Sequence, residues 1–364
     1  MALDVGIIGL PNTGKSTIFN AITRLGANVA SYAYATIDPN VGIVEVPDER
    51  LQVLAEFEAS AKLVPATFRF VDIAGLAPGA SRGEGLGNQF LHHIREVDAV
   101  AYVVRCFEDP NVASVVEGID PLRDIELLDM ELIFADLATV EKRREKTAKA
   151  ARTGDKEKLK EMELLDRVEA QLSEGFMAKS IALAEDERVV MRDLWLLSSK
   201  PNIYVANLGE DQLGGEDACL AAIQGKAAED GSEVVALCAK LEAEIEELTD
   251  EEAEQFLADY GITESGLRSF LRASFHLLDM ITFFTCGPKE TRAWPIRRGL
   301  KAVEAAGKIH TDLERGFIRA EVIAYDDFVH DGGYTGAKDK GHMRLEGKDY
   351  IVQDGDVVIV RFNV

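Results

Sequence analysis

Short apolar, β-branched runs at residues 4–8, 41–46, 67–73, 99–104, 203–206 and 234–237 are separated by segments long enough to form helices. Such runs, apolar at successive positions, fit strands covered on both faces, so the pattern predicts an α/β fold with a mostly parallel sheet. The alternation stops between about 121 and 198. There apolar residues recur at helical spacing, first Leu132, Leu137 and Val140, then Leu159, Met162, Leu165, Val168 and Leu172, with the breaker Thr153-Gly154-Asp155 between them. Two helical series around a turn predict an antiparallel coiled-coil hairpin inserted into the α/β domain. Residues 242–254 read as an acidic surface helix. After residue 278 short strands at 281–285, 292–295, 318–324, 350–352 and 357–362, with a helix near 300–309, predict a separate mixed-β domain over 279–364. The α/β domain then occupies 1–278, interrupted by the insertion at about 121–198.

Between the first strand and the first helix stands Gly9-Leu10-Pro11-Asn12-Thr13-Gly14-Lys15-Ser16, which satisfies G-x-x-x-x-G-K-[ST] in the context the chemistry requires. The glycines let main chain wrap a phosphate, amides and helix dipole neutralise it, Lys15 reaches the β and γ oxygens, and Ser16 ligates Mg²⁺. A second anchor for the metal follows a strand pattern: Asp72-Ile73-Ala74-Gly75, in which Asp72 would hold a metal-bound water and the Gly75 N–H the γ-phosphate. Between them Thr36, in a polar and aromatic loop, is the natural switch threonine for Mg²⁺, with an ordinary loop threonine as the alternative. After the fifth strand comes Asn207-Leu208-Gly209-Glu210, where guanine-specific proteins carry N-K-x-D. The longer carboxylate and the missing lysine weaken guanine selectivity, because discrimination by a paired polar site depends on its geometry. Adenine lacks an N1–H and gains nothing from that carboxylate either, so these residues alone leave the purine open. The nucleotide set is Asn12, Thr13, Gly14, Lys15, Ser16, Thr17, Gly75, Asn207, Leu208 and Glu210, and the metal set is Ser16, Thr36 and Asp72.

Charge narrows the partners. The 364 residues carry a net charge of −24, and residues 201–278 hold four basic against seventeen acidic side chains. That segment would repel a phosphate backbone. Residues 141–160 reverse the balance with nine basic and four acidic side chains, which reads either as a solvated helical face or as a surface for RNA or an acidic partner. Four scattered cysteines, Cys106, Cys219, Cys238 and Cys286, without a C-x-x-C pair, read as reduced and mostly buried thiols. No apolar run of membrane-spanning length and no export signal is evident, so a cytoplasmic protein with no membrane and no DNA partner is expected.

Taken together, the P-loop G-L-P-N-x-G-K-S, the stretch from Thr36 to Gly42, Asp72-Ile73-Ala74-Gly75-Leu76 with Gly83-Glu84-Gly85-Leu86-Gly87-Asn88, the N-x-x-E at Asn207 and Glu210, and His310-Thr311-Asp312 with Gly316-Phe317-Ile318 resemble the YchF subgroup of the Obg-like ATPases over nearly the whole chain. The resemblance implies a Ras-like nucleotide domain with a coiled-coil insertion and a C-terminal TGS domain of β-grasp fold. It also implies ATP preferred over GTP, and association with the ribosome, its RNA or its proteins.

No catalytic residue is assigned. Leu76 stands where switch GTPases often carry a water-orienting Gln and can do neither orientation nor proton transfer. Ser114 stands where the family commonly has a histidine, and a serine is a poor general base near neutral pH. Asn12 suggests another route, since an Asn at this place in related P-loops helps hold K⁺; a local hydrogen bond is the plainer reading. His92 and His93 read as surface or packing residues, His310 as a helix end, and a main-chain N–H of Cys238-Ala239-Lys240 as a contact for the base. Three functions remain: a slow ATPase switch acting on the ribosome, translation or stress responses; a GTP-dependent switch; and a nucleotide-sensing binding protein in which hydrolysis is incidental.

Overall fold

The computed structural model describes residues 3–25, 40–73, 86–109, 118–152, 154–262 and 264–363, and all their side chains except those of residues 86–89, 250 and 254. In chain order the elements begin β1 (Asp4–Ile8), α1 (Lys15–Leu25), β2 (Val41–Glu45), α2 (Glu49–Phe57), β3 (Leu63–Val64), β4 (Thr67–Asp72), α3 (Leu86–Glu96) and β5 (Ala99–Arg105). The helices α4 (Pro121–Ala151), α5 (Lys156–Ser173) and α6 (Glu185–Leu194) follow, then β6 (Asn202–Asn207), α7 (Ala218–Asp230), β7 (Glu233–Leu237), α8 (Ala239–Ile245), α9 (Asp250–Asp259) and α10 (Gly266–Leu277). The chain ends with β8 (Met280–Thr285), β9 (Thr291–Arg297), α11 (Ala302–Ile309), α12 (Thr311–Arg315), β10 (Phe317–Ala324), α13 (Tyr325–Asp331), α14 (Tyr334–Asp339), β11 (Arg344–Glu346) and β12 (Asp356–Phe362).

Two compact units emerge, Met1–Gly42 with Arg69–Ala273, and Ile43–Phe68 with Ser274–Val364. The first is built on a sheet of order β2-β4-β1-β5-β6-β7, with β1 parallel to β4 and β5, and β5, β6 and β7 parallel in turn. Every residue of β5 and β6 is buried, as strands covered on both faces must be. Side chains of the sheet meet Ile125, Leu128, Leu132 and Ala135 from the base of α4 in one core.

Beyond that base α4 and α5 form the expected antiparallel pair, with a core of Ile133, Val140, Leu164, Leu165, Val168 and Leu172. The breaker is where the sequence places it, Asp155 capping α5 by accepting from Glu157 N at 2.9 Å. The register differs at the tip. Leu159, counted among the seam residues, is exposed, and its place is taken by the buried Glu161, which accepts from Arg143 at 2.6 Å, Lys158 at 2.7 Å and Thr147 at 3.1 Å. A carboxylate with three donors is satisfied in a position an apolar residue would otherwise fill. Lower down, Asp136 accepts from Leu197 N and Ser198 N, both at 2.8 Å, and from the Ser198 hydroxyl, which fastens α4 to the chain returning to β6.

Residues 242–254 are not one surface helix. α8 ends at Ile245, α9 starts at Asp250, and Glu242 is buried, its carboxylate accepting from Ser265 Oγ and Gly266 N at 2.8 Å each. Burial of that acid is tolerable because both oxygens have donors.

The second unit carries a mixed sheet of order β11-β10-β12-β8-β9-β3. Within it β8 and β12 form a parallel central pair flanked by antiparallel β9 and β10, and α11 packs on the sheet through Ala302, Ala305 and Ala306, a β-grasp arrangement. Residues 350–352 contribute a single bridge, Lys301 to Ile351, in place of the expected strand. The segment Ile43–Phe68 groups with this unit although the sequence reading counts it with 1–278. β3 pairs in parallel with β9, and from α2 Arg50 holds Asp354 at 2.8 Å. Those two-residue and single-side-chain contacts leave no periodic trace in sequence. Among the described residues no helix is long and apolar enough to cross a membrane.

Candidate nucleotide site

The loop between β1 and α1 has the backbone its composition calls for. Gly14 has φ of +90°, and Asn12, one of few non-glycines in the left-handed region, has φ of +66°. A side chain at Gly14 is also excluded by space, since its Cβ would lie 2.1 Å from Asn207 Nδ2. Thr13 turns inward, its hydroxyl donating to the Leu10 carbonyl at 3.0 Å. Ser16 and Thr17 are exposed at the start of α1, where main-chain N–H groups and the helix dipole favour an anion.

Lys15 and Asp72 are brought together. The Lys15 ammonium, largely buried, donates to the Asp72 carboxylate at the end of β4. The parallel register of β1 and β4 sets this, pairing Ile7 with Asp72. The two side chains that the sequence assigns to a phosphate and its metal are thus adjacent. Thr36, Gly75, Leu76 and Ser114 lie outside the described residues.

Asn207, at the end of β6, ties the loops of the site to one another. Its Nδ2 donates to the Thr13 carbonyl at 2.8 Å and its Oδ1 accepts from Ala239 N at 2.9 Å. The Ala239 N–H, within the stretch expected to meet the base, is therefore bonded to Asn207. Leu208 packs in the core of the sheet and its N–H donates to the Leu237 carbonyl at 2.8 Å, so its side chain does not face the site. Glu210 opens a short 3₁₀ turn, Glu210–Gln212, and its carboxylate accepts from Lys240 Nζ at 2.6 Å. The ion pair raises the Lys240 pKa above its ordinary value, the hydrogen bond to Glu210 being the chief cause.

Sequence reasoning missed Gln212. Its Oε1 accepts from Gly209 N at 2.6 Å, while Nε2 donates to the Cys106 carbonyl at 3.0 Å and to Asp217 at 2.8 Å, so the N-x-x-E turn is pinned to the end of β5 and to the cap of α7. Only the spacing N-x-x-E-x-Q hinted at it.

The other candidates are structural. His310 caps α12, its Nδ1 accepting from Asp312 N at 3.1 Å. His92 lies 3.7 Å from Glu96 on the exposed face of α3. All four cysteines are free, with Cys106 and Cys238 buried.

Two family models match the chain. One, for the C-terminal part of YchF GTPases and described as a protein of unknown function, matches residues 280–363, and one described as a 50S ribosome-binding GTPase matches residues 4–135. The chain is 52% identical to the ribosome-binding ATPase YchF of Bacillus subtilis over the full length of both. The chain belongs to the YchF family. Identity to the ribosome-binding ATPase YchF of Escherichia coli O157:H7 is 47%, again over 100% of each chain. Among solved structures, that of the Schizosaccharomyces pombe YchF GTPase superposes with a TM-score of 0.90 at 36% identity, covering 99% of this chain and 98% of that one. The two family models fall on the P-loop part of the chain and on its C-terminal mixed-sheet part.

Proposed function

We propose that this YchF-family protein is a P-loop switch that binds ATP, hydrolyses it slowly and associates with the ribosome. The observation that carries the reading is the convergence of the Lys15 ammonium, the Asp72 carboxylate and the Asn207-braced loop at the N-terminus of α1. Bacterial relatives matched along their whole length are named ribosome-binding ATPases, which supports both the nucleotide and the partner.

The residues divide the work. Main-chain N–H groups of the P-loop and the end of α1 cradle the β-phosphate, and the Lys15 ammonium moves from Asp72 to the β and γ oxygens. Asn207 keeps the P-loop and the start of α8 in register. Ser16 and Asp72 offer hydroxyl and carboxylate oxygens, the hard donors Mg²⁺ takes. Mg²⁺ in such sites is held by one or two protein oxygens together with phosphates and water. Such an ion, held by Ser16 and Asp72, would supply positive charge to neutralise the phosphates. Thr36 and Gly75 are its proposed switch partners. Leu76 cannot orient a water, so turnover waits on help from outside the site. K⁺ beside Asn12 is one source of that charge, expected to appear as faster turnover in K⁺ than in Na⁺ at equal ionic strength.

A ribosome-bound protein with this reading works in the cytoplasm. GTP stands as the second reading, because the N-x-x-E turn retains a carboxylate where guanine-specific proteins carry theirs, and the Schizosaccharomyces pombe relative is named a GTPase. Titration with ATP and GTP and turnover with and without ribosomes separate the two. Tighter ATP binding and ribosome-stimulated ATP hydrolysis are expected, and a tenfold guanine preference would replace the first reading by the second.

A further inference from the structure

We propose that Lys240 sets the purine preference by occupying Glu210. The inference rests on the nucleotide reading above and names the residue that decides between its two purines.

Guanine presents N1–H and an exocyclic N2–H₂ on one edge, and a free carboxylate in the N-x-x-E turn would accept from both. Adenine presents an acceptor at N1 and no N2 amine. A carboxylate therefore favours guanine only while its oxygens remain available and correctly aimed. In this chain one of the two oxygens that a guanine edge would need is already engaged. Lys240 Nζ lies 2.6 Å from Glu210 Oε1, a charge-assisted bond between the first turn of α8 and a 3₁₀ turn 30 residues earlier.

Both ends of that bond are held from below. Gln212 fixes the turn carrying Glu210 through the Cys106 carbonyl, Asp217 and Gly209 N. Asn207 fixes the chain carrying Lys240 through Ala239 N. The same asparagine bonds Thr13 in the P-loop, so the backbone carrying both residues is placed relative to the phosphate cradle. The lysine absent from the second position of N-K-x-D, where Leu208 stands, is thus matched by a lysine from the start of α8 acting on the acid of the motif. Lys240 is a positioning residue acting through Glu210.

The pair lies at the surface, with 72% of the Lys240 side chain and 37% of that of Glu210 accessible, so its loss should hardly change stability. That makes substitution a clean test. Dissociation constants for fluorescent ATP and GTP analogues with Mg²⁺ are measured for the full chain and for Lys240→Ala, Lys240→Arg and Lys240→Ala with Glu210→Gln. The ratio of GTP to ATP constants is expected to fall about tenfold in Lys240→Ala, the scale of one charge-assisted hydrogen bond. It should return in the double variant, where no carboxylate is left to release, and stay near the parent value in Lys240→Arg. A ratio unchanged in Lys240→Ala, or a shift that persists when Glu210 is also replaced, would overturn the inference while leaving the nucleotide reading intact. Failure of the parent chain to bind either triphosphate would overturn both.

Discussion

Asn207 donates from its side-chain amide to the Thr13 carbonyl at 2.8 Å, joining residues 194 positions apart and fastening the end of β6 to the P-loop. With its Oδ1 on Ala239 N, one buried side chain holds three loops of the site. Replacing it by alanine leaves a buried carbonyl and a buried N–H without partners, at a cost of about 2 kcal/mol. Asn207→Ala should lower the unfolding free energy by that amount and weaken nucleotide binding at least about tenfold. Chemical denaturation paired with nucleotide titration checks both. Loss of stability with unaltered nucleotide affinity would show that the brace does not shape the cradle.

Beneath the sheet, Asp129 on α4 accepts from the Tyr102 hydroxyl at 3.1 Å, and burial pushes its carboxyl pKa up to about 6. A carboxyl raised in the folded state holds its proton there longer than in the unfolded chain. Stability therefore falls as pH rises from about 4 to 6 and levels off above. The scale is about 3 kcal/mol across that interval. Asp129→Asn keeps an oxygen for Tyr102 and should flatten this part of the stability profile, measured by urea denaturation at stepped pH. An unchanged slope would place the titrating group elsewhere.

The hairpin's cations separate into two classes. Arg143, Arg144, Lys158 and Lys160 are engaged with Glu161, Asp166, Glu169 and Asp186 inside the helical insertion. Lys142, Lys146 and Lys149 are exposed at four- and three-residue spacing along α4, on one face of the helix. Charge reversal at those three should reduce co-sedimentation with ribosomes, more so at low salt, while leaving the fold intact. Arg143→Glu should instead lower the hairpin's stability, because it sets two carboxylates together at a buried site. Undiminished co-sedimentation of the triple variant would exclude this face as the ribosome contact.

What could be read in advance follows from how local each signal is. The P-loop was legible because its chemistry is written in eight consecutive residues between a strand and a helix. β5 and β6 were legible because strands covered on both faces are continuously apolar. The hairpin was legible in its lower core, where Leu165, Val168 and Leu172 repeat. It was misread at Leu159, because Glu161 is buried through partners on the other helix. Burial of Glu242 depends on Ser265 and Gly266, and the pairing of Glu210 with Lys240 on a short turn meeting the start of α8 in space. Neither has periodicity or spacing to announce it. The placement of β3 beside β9 is hidden for the same reason, since two residues carry no pattern.

The central claim is that Lys15 and the main chain around Gly14 bind a purine triphosphate. Isothermal titration of ATP with Mg²⁺ into the full chain and into Lys15→Ala tests it most directly. Saturable binding by the parent and a loss of about a hundredfold in the variant are predicted, the ammonium being the main side-chain charge on the β and γ oxygens. Absence of measurable affinity for ATP and GTP in the parent, or equal affinity in the variant, would contradict the account.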